Sequence, residues 1–185
     1  GGGVINSGPG ASQLLKQLVH CTDFPCTLTL MGLGALPASD KHFLGMLGMH
    51  GTYEANMAMH DCDVMLCIGA RFDDRVTGHL DSFSPKSKKI HIDIDPSSIN
   101  KNVRVDLGIV GDVGHVLEDI IKIWKSGQHK CDEKSIKNWW KTINKWRERK
   151  CLSFDRDATA IKPQFAIERL YELTKKLDEV YITTE

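Results

Sequence analysis

The sequence carries no excess of either charge: 24 Lys and Arg stand against 24 Asp and Glu, for a formal net charge of +0. A chain without a basic surplus leaves no electrostatic footprint for DNA, RNA or an anionic bilayer, so nucleic acid is not expected as a partner. No apolar run approaches the roughly 20 residues of a membrane span, and neither a signal peptide nor a transit segment is recognisable at the start. Six cysteines (Cys21, Cys26, Cys62, Cys67, Cys131 and Cys151) include no C-x-x-C pair, and no His/Cys grouping has zinc spacing. No metal ligand is therefore expected. Free thiols without a disulfide pattern suit a reducing compartment, the cytoplasm of a bacterium or an organelle stroma or matrix. Internal repeats and low-complexity tracts are missing too. An initiator methionine is also lacking, and the sequence runs from Gly1-Gly2-Gly3 to Val180-Tyr181-Ile182-Thr183-Thr184-Glu185. Both ends are expected to be cuts within a longer chain.

What is present is an ordinary globular composition, 41% apolar and 26% charged over 185 residues, enough to bury a core without disulfides or metal. Strand-length apolar runs alternate with helical patterns, which predicts βαβ units and a Rossmann-like, doubly wound parallel sheet of the α/β class. Gly1 to Ile5 reads as the end of one strand. Further strands are expected at Cys26 to Met31, Asp63 to Ala70, Lys89 to Asp95 and Gly108 to Val113. The run DVMLCIGA is continuously apolar, as in a strand covered on both faces, whereas KIHIDID alternates. Helices are expected at Ser12 to Val19, from near Thr52 to His60, and at Val113 to Trp124. A further helix between Asp132 and Arg149 carries Ile136, Trp139, Trp140, Ile143 and Trp146 three and four apart, read as a core-packing stripe with a solvated lysine face. Residues 1–150 form the main domain and 151–161 a linker. Residues 162–185 open a second domain, with a helix from Pro163 to about Lys176 and a terminal strand.

Open parallel sheets bind ligands beyond the carboxyl ends of their strands, and five successive strand ends carry compatible chemistry. Gly1-Gly2-Gly3 leaves room for a pyrophosphate, although G-x-G-x-x-G is missing and glycine after a strand is mostly turn chemistry. Thr29-Leu30-Met31-Gly32 and Leu47-Gly48-Met49-His50-Gly51 suit either a flat ligand or a ligand-free lid. In Gly69-Ala70-Arg71-Phe72-Asp73-Asp74-Arg75 an arginine can clamp phosphate, or the acids can simply pair with the arginines. Asp93, Ile94 and Asp95 follow the next strand, where an acid accepts from ribose hydroxyls. Asp112 reads equally as ligand contact or helix cap. Together they point to a dinucleotide crevice.

The segments TLMGLGALP, LGMLGMHGTYEAN, IGARFDDRVTG, HIDIDPSSINKN and GIVGDV resemble the central domain of acetohydroxyacid synthase (acetolactate synthase) catalytic subunits, and IKPQFAIERLYELT with YITTE resembles that family's linker and first thiamin-diphosphate-domain strand. The resemblance implies a transferase of branched-chain amino-acid biosynthesis that condenses two 2-oxoacids, with decarboxylation of pyruvate, to 2-acetolactate or 2-aceto-2-hydroxybutyrate. It implies thiamin diphosphate and Mg2+, held outside this chain, and FAD without a redox role within it. FAD contacts carried over by motif are Gly2, Thr29, Leu30, Met31, Gly32, Leu47, Gly48, Met49, His50, Gly69, Ala70, Arg71, Phe72, Asp73, Asp93, Ile94, Asp112 and Val113. Met49, Asp74 and Arg75 match the substrate channel. No catalytic residue is expected in this chain, which alone should be inactive. The implied parent is a homodimer or tetramer, with a regulatory small subunit as a further partner. The alternatives are a glyoxylate-carboligase-type thiamin enzyme and a non-catalytic nucleotide-binding module.

Overall fold

The computed structural model describes residues 1–127, 131–157 and 159–183. Two compact units are distinguished, Gly1–Arg149 and Lys150–Glu185. In the first, β1 (Cys26–Leu28) pairs in parallel with β2 (Phe43–Met46), and β3 (Val64–Ile68), β4 (Lys88–Asp93) and β5 (Leu107–Val110) form a second parallel sheet in that order. The helices are α1 (Gly2–Asn6), α2 (Pro9–Thr22), α3 (Tyr53–Asp61), α4 (Asp74–Thr77), α5 (Val113–Lys125) and α6 (Glu133–Arg147). This is the expected parallel α/β architecture.

Side chains that alternate along β3 show why its sequence is apolar throughout. Leu66 and Ile68 join Ile92, Leu28 and the inward faces of α2 and α5 (Leu15, Leu18, Leu117, Ile121), while Met65 and Cys67 join Phe72, Phe83 and Met59 of α3. A third cluster sets Ile143 of α6, fully buried, against Leu44, Ala55 and Ala58, with Trp139, Trp140 and Trp146 around it. The tryptophan stripe is thus packing surface.

Three local expectations are corrected. Gly1 to Ile5 is not a strand end, because residues 2–6 are helical. Three glycines offer no side chains for a pleated surface, and what remains of strand pairing is Gly1 N–H donating to Ile68 O (2.6 Å) and Gly3 N–H to Gly69 O (2.9 Å). The strand from Cys26 stops at Leu28, since Thr29 leads into a single 3-10 turn at Leu30–Gly32. Within KIHIDID, read as an alternating strand, His91 is fully buried and Asp93 nearly so. Val180–Thr183 form no strand, and the described residues of their own unit include no strand to share a ladder; Thr184 and Glu185 lie outside the described residues. Strand β2 was not anticipated at all.

The second unit contains α7 (Pro163–Thr174), with Pro163 at its first turn. Arg156 forks onto the Glu168 carboxylate at 2.9 and 2.7 Å. Among the described residues no helix is long and apolar enough to cross a membrane.

Candidate functional site

Backbone contacts draw the carboxyl ends of the strands together. The start of α1 lies between the ends of β1 and β3. A Cβ on Gly3 would stand 2.7 Å from Gly69 Cα, one on Gly2 would stand 3.1 Å from Met31 Cβ, and one on Gly32 would meet Gly1 at 3.0 Å. Gly69 itself adopts φ +58°, a left-handed backbone that favours glycine, and its N–H continues the ladder to Ile92 O at 2.8 Å. Beyond β4, Gly111 N–H donates to Asp93 O at 3.0 Å. The loop after β2 is tied to the loop after β3 by Met49 N–H donating to Arg75 O (2.9 Å). Gly48 has φ +98°, and a Cβ there would stand 2.5 Å from Arg75 O. The end of α1 reaches α5 through Ser7 Oγ, which donates to Asp112 Oδ2 at 3.1 Å. The ends of all five strands therefore converge, as a crevice at the sheet's carboxyl edge requires.

The apolar side chains on this edge face outward. Leu30 is 69% exposed, Met31 77%, Met49 63% and Ile94 68%. Large apolar groups at successive strand ends mark a surface made to be covered by a ligand or a partner. Arg71 is also exposed and forms a 2.9 Å ion pair with Asp73, one that water weakens to a small contribution. Asp74 Oδ1 accepts from Arg75 N–H at 2.9 Å, at the start of α4. Leu47 packs against the α6 cluster, and His50 is exposed.

Not every residue picked from the sequence presents its side chain. Phe72 is buried edge-on to Phe83 (5.7 Å) and His91 (5.0 Å), and Val113 is in the main core, so any ligand contact from either is through the backbone. Asp112 caps α5: its Oδ1 accepts from Gly114 N–H (2.8 Å) and His115 N–H (3.2 Å). Those amides and the Ser7 hydroxyl hold its carboxyl below the usual carboxylate range. One oxygen of Asp93 is taken by Asp95 N–H (2.9 Å), and the other lies 3.8 Å from His91 Nε2. His91 Nε2–H donates to Ala70 O at 2.8 Å, while Nδ1 is buried with no partner among the described residues; burial lowers the ring's pKa.

Two loop-holding residues escaped notice. Asn56 brackets Gly48, accepting from its N–H (2.8 Å) and donating to its O (2.9 Å). Asn102 Nδ2 donates to Phe72 O (3.0 Å), holding a residue whose φ is +54°. Their only mark in the sequence is the turn-forming side-chain amide. At the opposite, amino end of β1 and β2, His20, Asp40 and His42 place their ligating atoms within 4.8 Å of one another. These lie up to 22 positions apart, with no local metal spacing beyond Asp40-x-His42.

Comparison with known proteins agrees with this geometry. Residues 1–120 match the family described as "Thiamine pyrophosphate enzyme, central domain". The acetolactate synthase large subunit of Haemophilus influenzae is 48% identical over 185 residues, which cover 100% of this chain and 31% of the relative. The acetolactate synthase isozyme 3 large subunit of Escherichia coli is 47% identical over 187 residues, 100% of this chain and 32% of the relative. That of Pyropia yezoensis is 42% identical over 185 residues, 100% of this chain and 30% of the relative. The chain thus spans about a third of the length of these relatives. With a match over residues 1–120, more than half of the chain, and a parallel α/β fold whose strand ends converge, the chain belongs to the central-domain family of thiamine pyrophosphate enzymes.

Proposed function

We propose that residues 1–150 are the FAD-binding central domain of an enzyme that forms 2-acetolactate or 2-aceto-2-hydroxybutyrate from two 2-oxoacids, that 151–161 link it onward, and that 162–185 begin the domain for thiamin diphosphate. The observation that carries the cofactor reading is the row of exposed apolar side chains (Leu30, Met31, Met49 and Ile94) above converging strand ends. A flat ring system covers such a row. The glycine backbones at Gly2, Gly32 and Gly69 keep the floor low, and the exposed Arg71 guanidinium suits a phosphate. These residues fit FAD. Its role is structural and not redox, as the resemblance to acetolactate synthase implies. Thiamin diphosphate with Mg2+ supplies the bond-making chemistry when bound, from outside this chain.

The chain's own residues hold the flavin and shape the approach to that chemistry. Met49, Asp74 and Arg75 are candidates for the channel wall, a reading supported by the hydrogen bond that joins Met49 to Arg75. The relatives are named large subunits, which supports a small-subunit partner, alongside self-association as a dimer or tetramer. Cytoplasm or organelle stroma remains the proposed location. The test is acetolactate formation from pyruvate by the full-length protein with thiamin diphosphate and Mg2+, with and without FAD. Product that requires FAD supports the reading; no acetolactate under any condition contradicts it.

A further inference from the structure

The side chains at the amino ends of β1 and β2 form a built cluster that the cofactor crevice does not use. His20, near the end of α2, places Nε2 2.6 Å from Asp40 Oδ2. Asp40 Oδ1 lies 2.8 Å from His42 Nδ1 and accepts from the His42 N–H at 3.0 Å. His42 is buried, and its other ring nitrogen, Nε2, lies 2.9 Å from Asp23 Oδ1. Trp140 of α6 closes the inner side, edge-on to His42 at 5.8 Å and donating Nε1–H to Asp23 O at 2.8 Å. The Cys26 amide bonds to His42 O (2.9 Å), so the cluster is anchored to the first strand.

From this arrangement we infer that His20, Asp40 and His42 form a binding site for one divalent transition-metal ion of the Zn2+ class, with Asp23 orienting His42. Two imidazoles and one carboxylate are the donor set such ions select, whereas Mg2+ and Ca2+ take oxygen cages. The three donor atoms lie within 4.8 Å of one another. Bonds of about 2.0–2.1 Å in a tetrahedral site put ligand atoms roughly 3.3 Å apart, so the 2.6 and 2.8 Å contacts open by about 0.5–0.7 Å and the widest donor pair, within 4.8 Å, closes by up to about 1.5 Å.

The carboxylate on the far nitrogen of His42 is the second feature a metal site has. An Asp23 oxygen that accepts from Nε2–H fixes the tautomer with the Nδ1 lone pair facing Asp40. Both His42 nitrogens face carboxylate oxygens, at 2.9 Å (Asp23) and 2.8 Å (Asp40). Charge agrees. Asp23 and Asp40 bring two negative charges into the cluster, and Lys41, 3.7 Å from Asp23, offsets one. The His20 side chain is 47% exposed, which leaves an entry path and a fourth position for water. The ion would clasp the end of α2 to the segment entering β2.

Six free thiols also bind Zn2+, so the test must tell nitrogen and oxygen ligation from sulfur. Zn2+ and Co2+ are each titrated into the chain, with stoichiometry from equilibrium dialysis and the visible spectrum followed for Co2+. The expected results are one equivalent bound, a Tm that rises with added Zn2+, and Co2+ d–d bands without a thiolate charge-transfer band. His20→Ala should keep the native circular dichroism and lose at least tenfold in affinity. Asp23→Asn should weaken binding by about 10–100-fold, as loss of a histidine-orienting carboxylate does. No binding, a thiolate charge-transfer band, or unchanged affinity in both variants overturns the inference. FAD binding is not involved in any of these readouts.

Discussion

Cys67 and Cys26 illustrate how the same burial that builds the core sets chemical reactivity. Burial pushes the Cys67 thiol up to about 12 and the Cys26 thiol up to about 11. The thiolate is the reactive form, so neither should react with a disulfide reagent at pH 8 in the folded chain, and both should react at full rate once it is unfolded in urea. Stopped-flow thiol counting with and without denaturant decides this. Asp112 sits at the opposite extreme, accepting two amides and one hydroxyl at the start of α5. Its folded pKa is depressed, so the stabilisation is present above the ordinary carboxylate pKa and is lost as pH falls through the folded value. Urea midpoints between pH 6 and pH 3 should fall less steeply for Asp112→Asn, which caps without titrating, than for the parent. Equal slopes would remove Asp112 from the acid sensitivity. At Gly69, a Cβ would have both a left-handed backbone and Gly3 Cα at 2.7 Å to accommodate. Gly69→Ala should lower stability by about 1–3 kcal/mol, read from the urea midpoint.

Among the elements, the pairing of β2 with α3 shows where sequence reading succeeded and where it failed. Thr52 was legible as a helix start, and its Oγ1 accepts from Ala55 N–H at 3.3 Å while donating to Leu44 O at 2.6 Å. It therefore fastens the unanticipated strand to the anticipated helix. Thr52→Val should cost about 1–2 kcal/mol, because both bonds go and Leu44 O is left without its donor. Phe43–Met46 was hidden because Gly45 breaks its alternation and glycine-rich stretches flank it, so its strand character comes from parallel pairing with β1. Conversely, the three glycines at the start were read as a strand end from their place in the pattern, and local helical bonding prevailed. Long periodic segments left less freedom. The spacing in α6 specified a buried stripe, and Ile143 at its centre is fully enclosed. Ile143→Ala should cost about 2–5 kcal/mol in the same urea assay. The strand-end residues were legible as a set, but which of them point inward was not. Phe72 and Val113 turn into the core because of packing partners distant in sequence, Phe83 and His91 for the former. The His20–Asp40–His42 cluster was illegible for the same reason, since its members meet only when α2 returns beside the segment entering β2.

Across the first compact unit, function divides by the polarity of the strands. Their carboxyl ends gather exposed apolar groups over a glycine floor, while the amino ends of β1 and β2 gather the His20, Asp40 and His42 side chains. The family assignment rests on residues 1–120 and on full-length likeness to acetolactate synthase large subunits, of which this chain spans about a third. The account's central claim is that the carboxyl edge holds FAD. The direct measurement is a titration of FAD into the purified chain, followed by quenching of flavin fluorescence, for the parent and for Met31→Asp. Met31 is 77% exposed, so the charge should leave the urea midpoint unchanged. Saturable 1:1 binding that Met31→Asp weakens by about tenfold or more, equivalent to about 1.4 kcal/mol, is the predicted result. No saturable binding, or binding indifferent to that substitution, would contradict it.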